Sequence, residues 1–253
     1  MRVEVIGCYG GELAGKRSCS LLVDDEVLVD AGSFGASLSL KRLLRINHVL
    51  VSHAHCDHIK DLASLADLAI GHRKDPIRIY ASDGVMGDMK RHFFNNRLWP
   101  DFFSLPSPLS PILRPVTFLP GRWFRVGHLR VSAHPVTHPV ECMGFIVRGK
   151  TGSFVYSGDT GPTEVLWKAA NRLSDLKLVL IETKFPNSLQ MVADAAGHLT
   201  PRTLAGELEK IRCKGQVLVY HMKPDCLAEL RRQVKEIGDP RLGLLRQGQV
   251  LEI

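Results

Sequence analysis

Ser52-His53-Ala54-His55-Cys56-Asp57-His58 is the stretch on which the fold of this chain turns. It follows residues 47–51, an apolar run of the buried-strand kind, and precedes residues 59–70, whose apolar side chains recur at helical spacing. Four metal-binding side chains, His53, His55, Asp57 and His58, therefore fall within six residues of a strand-to-helix loop. Imidazoles two apart on extended backbone point the same way, and the turn after them aims Asp57 and His58 into neighbouring space, so one loop can serve two adjacent ions. Cys56 points away from its neighbours and is set aside as a ligand. A turn that is histidine-rich by chance would need neither the strand before it nor the helix after it.

Working outward, residues 3–6, 20–23 and 27–29 read as a β-meander, broken by a glycine-rich loop (Gly7, Gly10, Gly11, Gly15) and an acidic turn at Asp24-Asp25-Glu26. Residues 37–44 read as a short helix, 77–80 as a strand and 83–95 as a helix. Six prolines between Pro100 and Pro120 exclude regular structure there and divide the chain near its middle. A second meander follows over 124–126, 129–133, 144–147 and 153–156, then a helix over 163–172 and buried strands at 178–181 and 217–220. Between those last strands lies a helix that starts after Thr200 as cap, with Pro201 at its first position. Strands first and helices after, twice over, predict two β-sheets face to face with helices outside. The reading is one domain over 1–253, with halves 1–120 and 121–253 and a proline- and aromatic-rich insertion over 84–115.

The 253 residues are 45% hydrophobic and 23% charged, which excludes disorder. No run approaches the ~18 apolar residues of a membrane span, and Glu4 falls where a signal peptide is apolar, so a cytoplasmic protein is expected. Six cysteines without a C-x-x-C pair point to reduced thiols and to no four-thiolate site. A net charge of +7 suits an anionic partner.

With its H-x-H-x-D-H string, the chain resembles the metallo-β-lactamase superfamily of binuclear metallohydrolases, and the likeness spans its whole length. The resemblance implies an α/β fold, the four-layer αββα sandwich of two similar halves. It also implies roles for later motifs. Asp30, in Val29-Asp30-Ala31-Gly32, resembles the early aspartate that hydrogen-bonds within the metal site without being a primary ligand. His138, in Pro135-Val136-Thr137-His138, resembles the lone histidine of the second half, with His134 as its rival on the same alternation. Asp159, after Tyr156-Ser157-Gly158, matches the bridging carboxylate, and His221, after Val219-Tyr220, closes the set. One ion would then sit on His53, His55, His138 and Asp159, and the other on Asp57, His58, Asp159 and His221. Imidazole with carboxylate favours two Zn2+ ions, with Mn2+ or Fe2+ as alternatives. His48, His72, His92 and His128 belong to no motif and read as surface or structural.

Substrate class must be sought elsewhere, because the ligands do not choose it. Ile181-Glu182-Thr183-Lys184-Phe185-Pro186-Asn187 and Gly197-His198-Leu199-Thr200-Pro201 resemble the strand-end acid and H-x-T segment shared by ribonuclease Z and class II cyclic-nucleotide phosphodiesterases. The Phe-Pro-Asn, His-Leu-Thr-Pro and His-Met-Lys-Pro strings are more similar to the cyclic-nucleotide class, although Lys184 stands where a small residue is implied. The expected reaction opens a 3′,5′-cyclic nucleotide to a 5′-monophosphate by a hydroxide shared between the ions. Catalysis is placed on Asp57, His198 as general acid and Glu182 as its orienting carboxylate. Lys184 and Lys223 are candidates for substrate phosphate, against solvated loop lysines. The partner is a small anionic phosphodiester.

Other readings are a transfer RNA 3′-processing nuclease, with nucleic acid as partner, a thioester or lactone hydrolase, and a non-catalytic binding module. The nuclease reading wants a glycine- and lysine-rich arm between the second-half motifs, and the interval from His138 to Asp159 has no room for one. The loop from Gly7 to Gly15 with Lys16 and Arg17 lacks the ending of a nucleotide P-loop and reads as a site-lining turn. Phe93, Phe94, Trp99, Phe102 and Phe103 offer a base-stacking surface, a homodimer contact or an ordinary packed loop.

Overall fold

The computed structural model describes residues 1–253. Strands β1 (Arg2–Gly7), β2 (Ser20–Val23) and β3 (Val27–Val29) form the first meander. Helix α1 (Leu40–Leu43), β4 (His48–Leu50), α2 (Cys56–Ala69) and β5 (Ile77–Ala81) follow. Helix α3 (Asp83–Asp88) runs into a π-helical turn, Met89–Phe93, and a small hairpin of β6 (Pro106–Ser107) and β7 (Ser110–Pro111) precedes β8 (Leu113–Thr117). The second meander is β9 (Trp123–Val126), β10 (Leu129–Pro135), β11 (Met143–Arg148) and β12 (Ser153–Tyr156). Then come α4 (Val165–Ala170), β13 (Leu176–Glu182), α5 (Gln190–Ala196), α6 (Pro201–Lys210), β14 (Gln216–Tyr220), α7 (Leu227–Glu236), β15 (Leu242–Leu244) and β16 (Val250–Glu252).

These strands make two seven-stranded sheets with one plan. The first runs β16-β1-β2-β3-β4-β5-β8, and the second β9-β10-β11-β12-β13-β14-β15. In each, the first four strands pair antiparallel and the remaining pairings are parallel. Alternation along the strands feeds three apolar layers. Val27 and Val29 face inward to a core that also holds Phe145, Phe154, Tyr156 and Tyr220, while Leu28 faces outward to Leu62 and Leu65 of α2. Val155, Ile181 and Val219 of the second sheet likewise face outward, to Trp167, Leu204 and Leu230. With both faces covered, the sheets can carry continuous apolar runs, and each fully buried Val or Leu stabilises by about 1.5–3 kcal/mol. The result is the four-layer αββα sandwich.

Several elements differ from their sequence reading. Helix α2 begins at Cys56, three residues earlier than its apolar spacing indicates, because the chain turns helical directly after extended His55, whose carbonyl accepts from His58 N; Asp57 and His58 thus ride its first turn, where the helix dipole favours an acid. The helix expected over 83–95 splits at Asp88 into α3 and the π turn, and that expected over 163–172 shortens to Val165–Ala170. The region read as 37–44 is a 3-10 turn at Gly35–Ser37 followed by α1. Pro115 sits within β8, which is tolerated because β8 is an edge strand. Phe94, Phe102 and Phe103 are buried in the outer core against the first sheet, so the packed loop describes them, and only Trp99 of the five aromatics is more than a third exposed. Strand β16 crosses to the first sheet, pairing Glu252 with Arg2, so the chain's last residues complete the half that its first residues begin. No helix is long and apolar enough to cross a membrane.

Candidate active site

The parallel strands of both sheets end on one rim, where ligands of open α/β sheets gather. Asp30 follows β3 and the His53 loop follows β4; in the second sheet Asp159 follows β12, Glu182 ends β13 and His221 follows β14. His53 Nε2 lies 3.0 Å from His55 Nδ1 and 3.6 Å from Asp159 Oδ2, and His138 Nε2 lies 3.3 Å from the same His55 atom. Alongside, His58 Nε2 is 3.4 Å from Asp159 Oδ1, and His221 Nε2 is 3.1 Å from Asp159 Oδ2. Asp57 Oδ2 faces both of those histidines, at 3.9 and 3.8 Å. Two histidine and aspartate sets result, His53-His55-His138-Asp159 and Asp57-His58-Asp159-His221, with Asp159 common to both; in these, and in a third group of Cys19, His58 and His221, the ligand atoms lie within 4.8 Å of one another. His134 is elsewhere, against Ser132 Oγ, and His48 is buried against Tyr80.

The donor sets fit divalent cations. His58 Nε2, His221 Nε2 and both Asp159 oxygens are buried without a hydrogen-bond partner, and each such orphan costs about 1–3 kcal/mol unless something satisfies it. A cation at the convergence does so. The opposite ring nitrogens are already engaged: His53 Nδ1 with Ser52 Oγ at 3.0 Å, His58 Nδ1 with Asp30 Oδ2 at 2.7 Å, His138 Nδ1 with Gly197 O at 3.1 Å and His221 Nδ1 with Cys19 Sγ at 3.2 Å. Such outer contacts fix the ring and leave the facing nitrogen bare for a metal. Burial pulls His138 down to about 4 and His53 well below the usual histidine range, which keeps both rings neutral, as ligation requires. Asp30 holds the assembly from beneath. Its carboxylate accepts from Ser52 N, Ser52 Oγ and Tyr156 OH as well as from His58, and its φ of 55° is in the left-handed region.

Beside the cluster, His198 Nδ1 lies 2.7 Å from Glu182 Oε1, which also accepts from Thr160 N. Burial, then the charge of Asp159, pushes Glu182 up to about 8, and burial pulls His198 down to about 4. Thr200, not His198, caps α6, its side chain and that of Thr203 forming a capping box. Lys184 Nζ is 3.3 Å from His198 Nε2, so this lysine faces the site. The ammonium of Lys223 is paired with Asp225. The partners Ser52, Tyr156, Gly197 and Cys19 were not singled out in the sequence, where nothing but adjacency to His53 and His198 marks the first and third.

Residues 26–222 match the model of the β-lactamase superfamily domain. The chain belongs to the β-lactamase superfamily. Within it, proteins named probable 3′,5′-cyclic-nucleotide phosphodiesterase from Yersinia pestis and 3′,5′-cyclic-nucleotide phosphodiesterase from Aliivibrio fischeri are 31% and 29% identical, over 82% and 80% of this chain. The chain spans 64% of the length of each. A ribonuclease Z of Clostridium acetobutylicum is 26% identical over 71% of the chain and 60% of its own length. The crystal structure of unliganded yeast PDE1 superposes with a TM-score of 0.84 at 17% identity, covering 100% of this chain and 99% of that one, and so shares the fold. The chain thus combines the metallo-β-lactamase fold with a histidine and aspartate cluster suited to divalent metal.

Proposed function

We propose that the chain is a binuclear metal-dependent phosphodiesterase that opens 3′,5′-cyclic nucleotides to 5′-monophosphates. The observation that carries the reading is the Glu182–His198 pair at 2.7 Å beside the metal-ligand cluster, since a phosphodiester with an alkoxide leaving group needs a proton donor there. Support for the cyclic substrate comes from the phosphodiesterase-named relatives and from the strings around Phe185, Leu199 and Met222.

His53, His55, His138 and Asp159 would hold one ion, and Asp57, His58, Asp159 and His221 the other; the mixed imidazole and carboxylate sets suit Zn2+. When bound, the ions neutralise phosphoryl oxygens and make a nucleophile available at neutral pH. Asp57 has the only cluster carboxylate with solvent access, its side chain 26% exposed, and takes the proton released by the attacking water. His198 Nδ1–H donates to Glu182, which fixes the ring so that Nε2 faces the leaving oxygen. Burial keeps that imidazole neutral at rest; an anionic phosphodiester beside it favours the protonated form, so His198 takes up its catalytic proton from solvent as the substrate binds. Lys184 donates to Nε2 until the phosphate takes over its ammonium.

A turnover screen of zinc-loaded protein tests the reading. Cyclic AMP or cyclic GMP should be turned over more efficiently than precursor transfer RNA. The net charge of +7 and the ribonuclease Z relative favour the nuclease as second reading, and the reverse ranking would establish it. Turnover of thioesters with none of any phosphodiester would discard both.

A further inference from the structure

The glycine-rich loop after β1 takes no part in the proton transfers above, yet it meets the metal cluster chiefly at His221, with Cys19 Sγ also within 4.8 Å of the His58 ring nitrogen. We propose that the loop of residues 7–19 is the mould of His221, with Gly10 and the Cys19 thiol as positioning residues for that ligand. The inference rests on the metal reading of the site.

Five of the loop's amides are already engaged within the protein. Those of Cys8 and Tyr9 donate to Arg17 O, that of Gly10 to Met222 O, that of Lys16 to Leu13 O and that of Arg17 to the Gln247 side chain. The bonds to the far end of the chain run both ways, because His221 N donates to Cys8 O at 2.7 Å and Tyr9 bridges to Met222. His221 is itself held at a φ of 62°, a left-handed conformation that a histidine keeps only when its surroundings impose it. Gly10 lies against the imposed ring. A Cβ at position 10 would stand 2.4 Å from His221 O, 2.9 Å from Cδ2 and 3.0 Å from Nε2, so any side chain there displaces the ligand.

Cys19 sets the ring's rotation and its proton. Its Sγ is buried 3.2 Å from His221 Nδ1 and 3.7 Å from Tyr9 O. With the thiol hydrogen donated to Tyr9 O, the sulfur accepts from Nδ1–H, and Nε2 is left bare and facing Asp159 at 3.1 Å. His53, His58 and His138 have oxygen partners for the same purpose; His221 has a thiol.

The test is metal titration of the full chain with zinc, read by elemental analysis and calorimetry, together with the histidine tautomer by 15N NMR. Wild type should bind two ions, with His221 protonated at Nδ1. Cys19→Ala should retain one ion and bind the second about 10- to 100-fold more weakly, and Gly10→Ala should lose the second ion likewise. Cys19→Ser, which keeps an acceptor, should hold both. Melting of the metal-free variants separates loss of fold from loss of ligand; if Cys19→Ala does not fold, the wild-type tautomer and Cys19→Ser still decide. Two ions at wild-type affinity in folded Cys19→Ala, or His221 protonated at Nε2 in wild type, would overturn the inference while leaving the site standing. A wild type that binds no metal would overturn the site reading, and this inference with it.

Discussion

Asp159 offers Oδ1 to His58 and Oδ2 to His53 and His221 while fully buried, and no other carboxylate touches both ligand sets. His198, a few ångström aside, belongs to neither set. The two residues therefore separate metal from proton. Asp159→Ala should empty both sites, as elemental analysis of the purified variant will show; full metal in that protein would refute the bridge. His198→Ala should keep its metal and its fold but turn over cyclic nucleotide about 10²- to 10⁴-fold more slowly, the range for losing a general acid. A p-nitrophenyl phosphodiester, whose phenolate hardly needs a proton, should suffer far less. Equal losses on both esters would mean that His198 orients phosphate instead. At this scale the cluster was legible because each ligand lies in a short string at a strand end. Its supports were not: Tyr156 reaches Asp30 from 126 positions away, and Cys19 reaches His221 from 202.

Elements show where local pattern suffices and where it does not. Strands 27–29 and 153–156 were readable because short apolar runs between turn residues have few alternatives, and α6 because Thr200 and Pro201 mark its start. Strands β15 and β16, at three residues each, are too short for any period to appear, and α2 starts where the backbone leaves the extended His55, ahead of the first residue of its apolar spacing. Helix α1 is a case in which charge, not pattern, fixes placement. Arg42 donates to both oxygens of Glu4 on β1 and to Asp25 in the β2–β3 turn. The guanidinium bonds, outweighing burial, hold both carboxyls below their ordinary values. Depressed folded pKa values give stability that is present above the ordinary carboxylate range and is lost as pH falls through the folded values. The side chains are partly exposed, so screening limits the effect: Arg42→Ala should cost about 1 kcal/mol at pH 7, measured by urea unfolding. That difference should shrink as the pH falls below about 4. A difference that persists undiminished in acid would show that Arg42 acts through packing.

For the whole molecule, the repeated plan of strands then helices was legible, while the return of β16 to the first sheet was not, since pairing between residues 2 and 252 leaves no local trace. The same architecture puts the site on the seam. His53, His55, Asp57 and His58 come from the half built on the first sheet, and His138, Asp159 and His221 from the half built on the second. Ions at this seam would bind the native pairing of halves and not the unfolded chain, so metal should stabilise the entire fold. With free metal at a thousand times its dissociation constant, one site adds about 4.1 kcal/mol. For a domain of this size each kcal/mol moves the melting temperature by about 2–4 °C, so chelation should lower it by roughly 8–16 °C per site lost. Calorimetry of metal-loaded, chelated and refilled protein checks this, and Asp159→Ala, with no bridge to fill, should melt at one temperature in all three. If wild type also melts at one temperature in all three, the cluster does not fasten the halves, and its buried orphan atoms must be satisfied by something other than a cation.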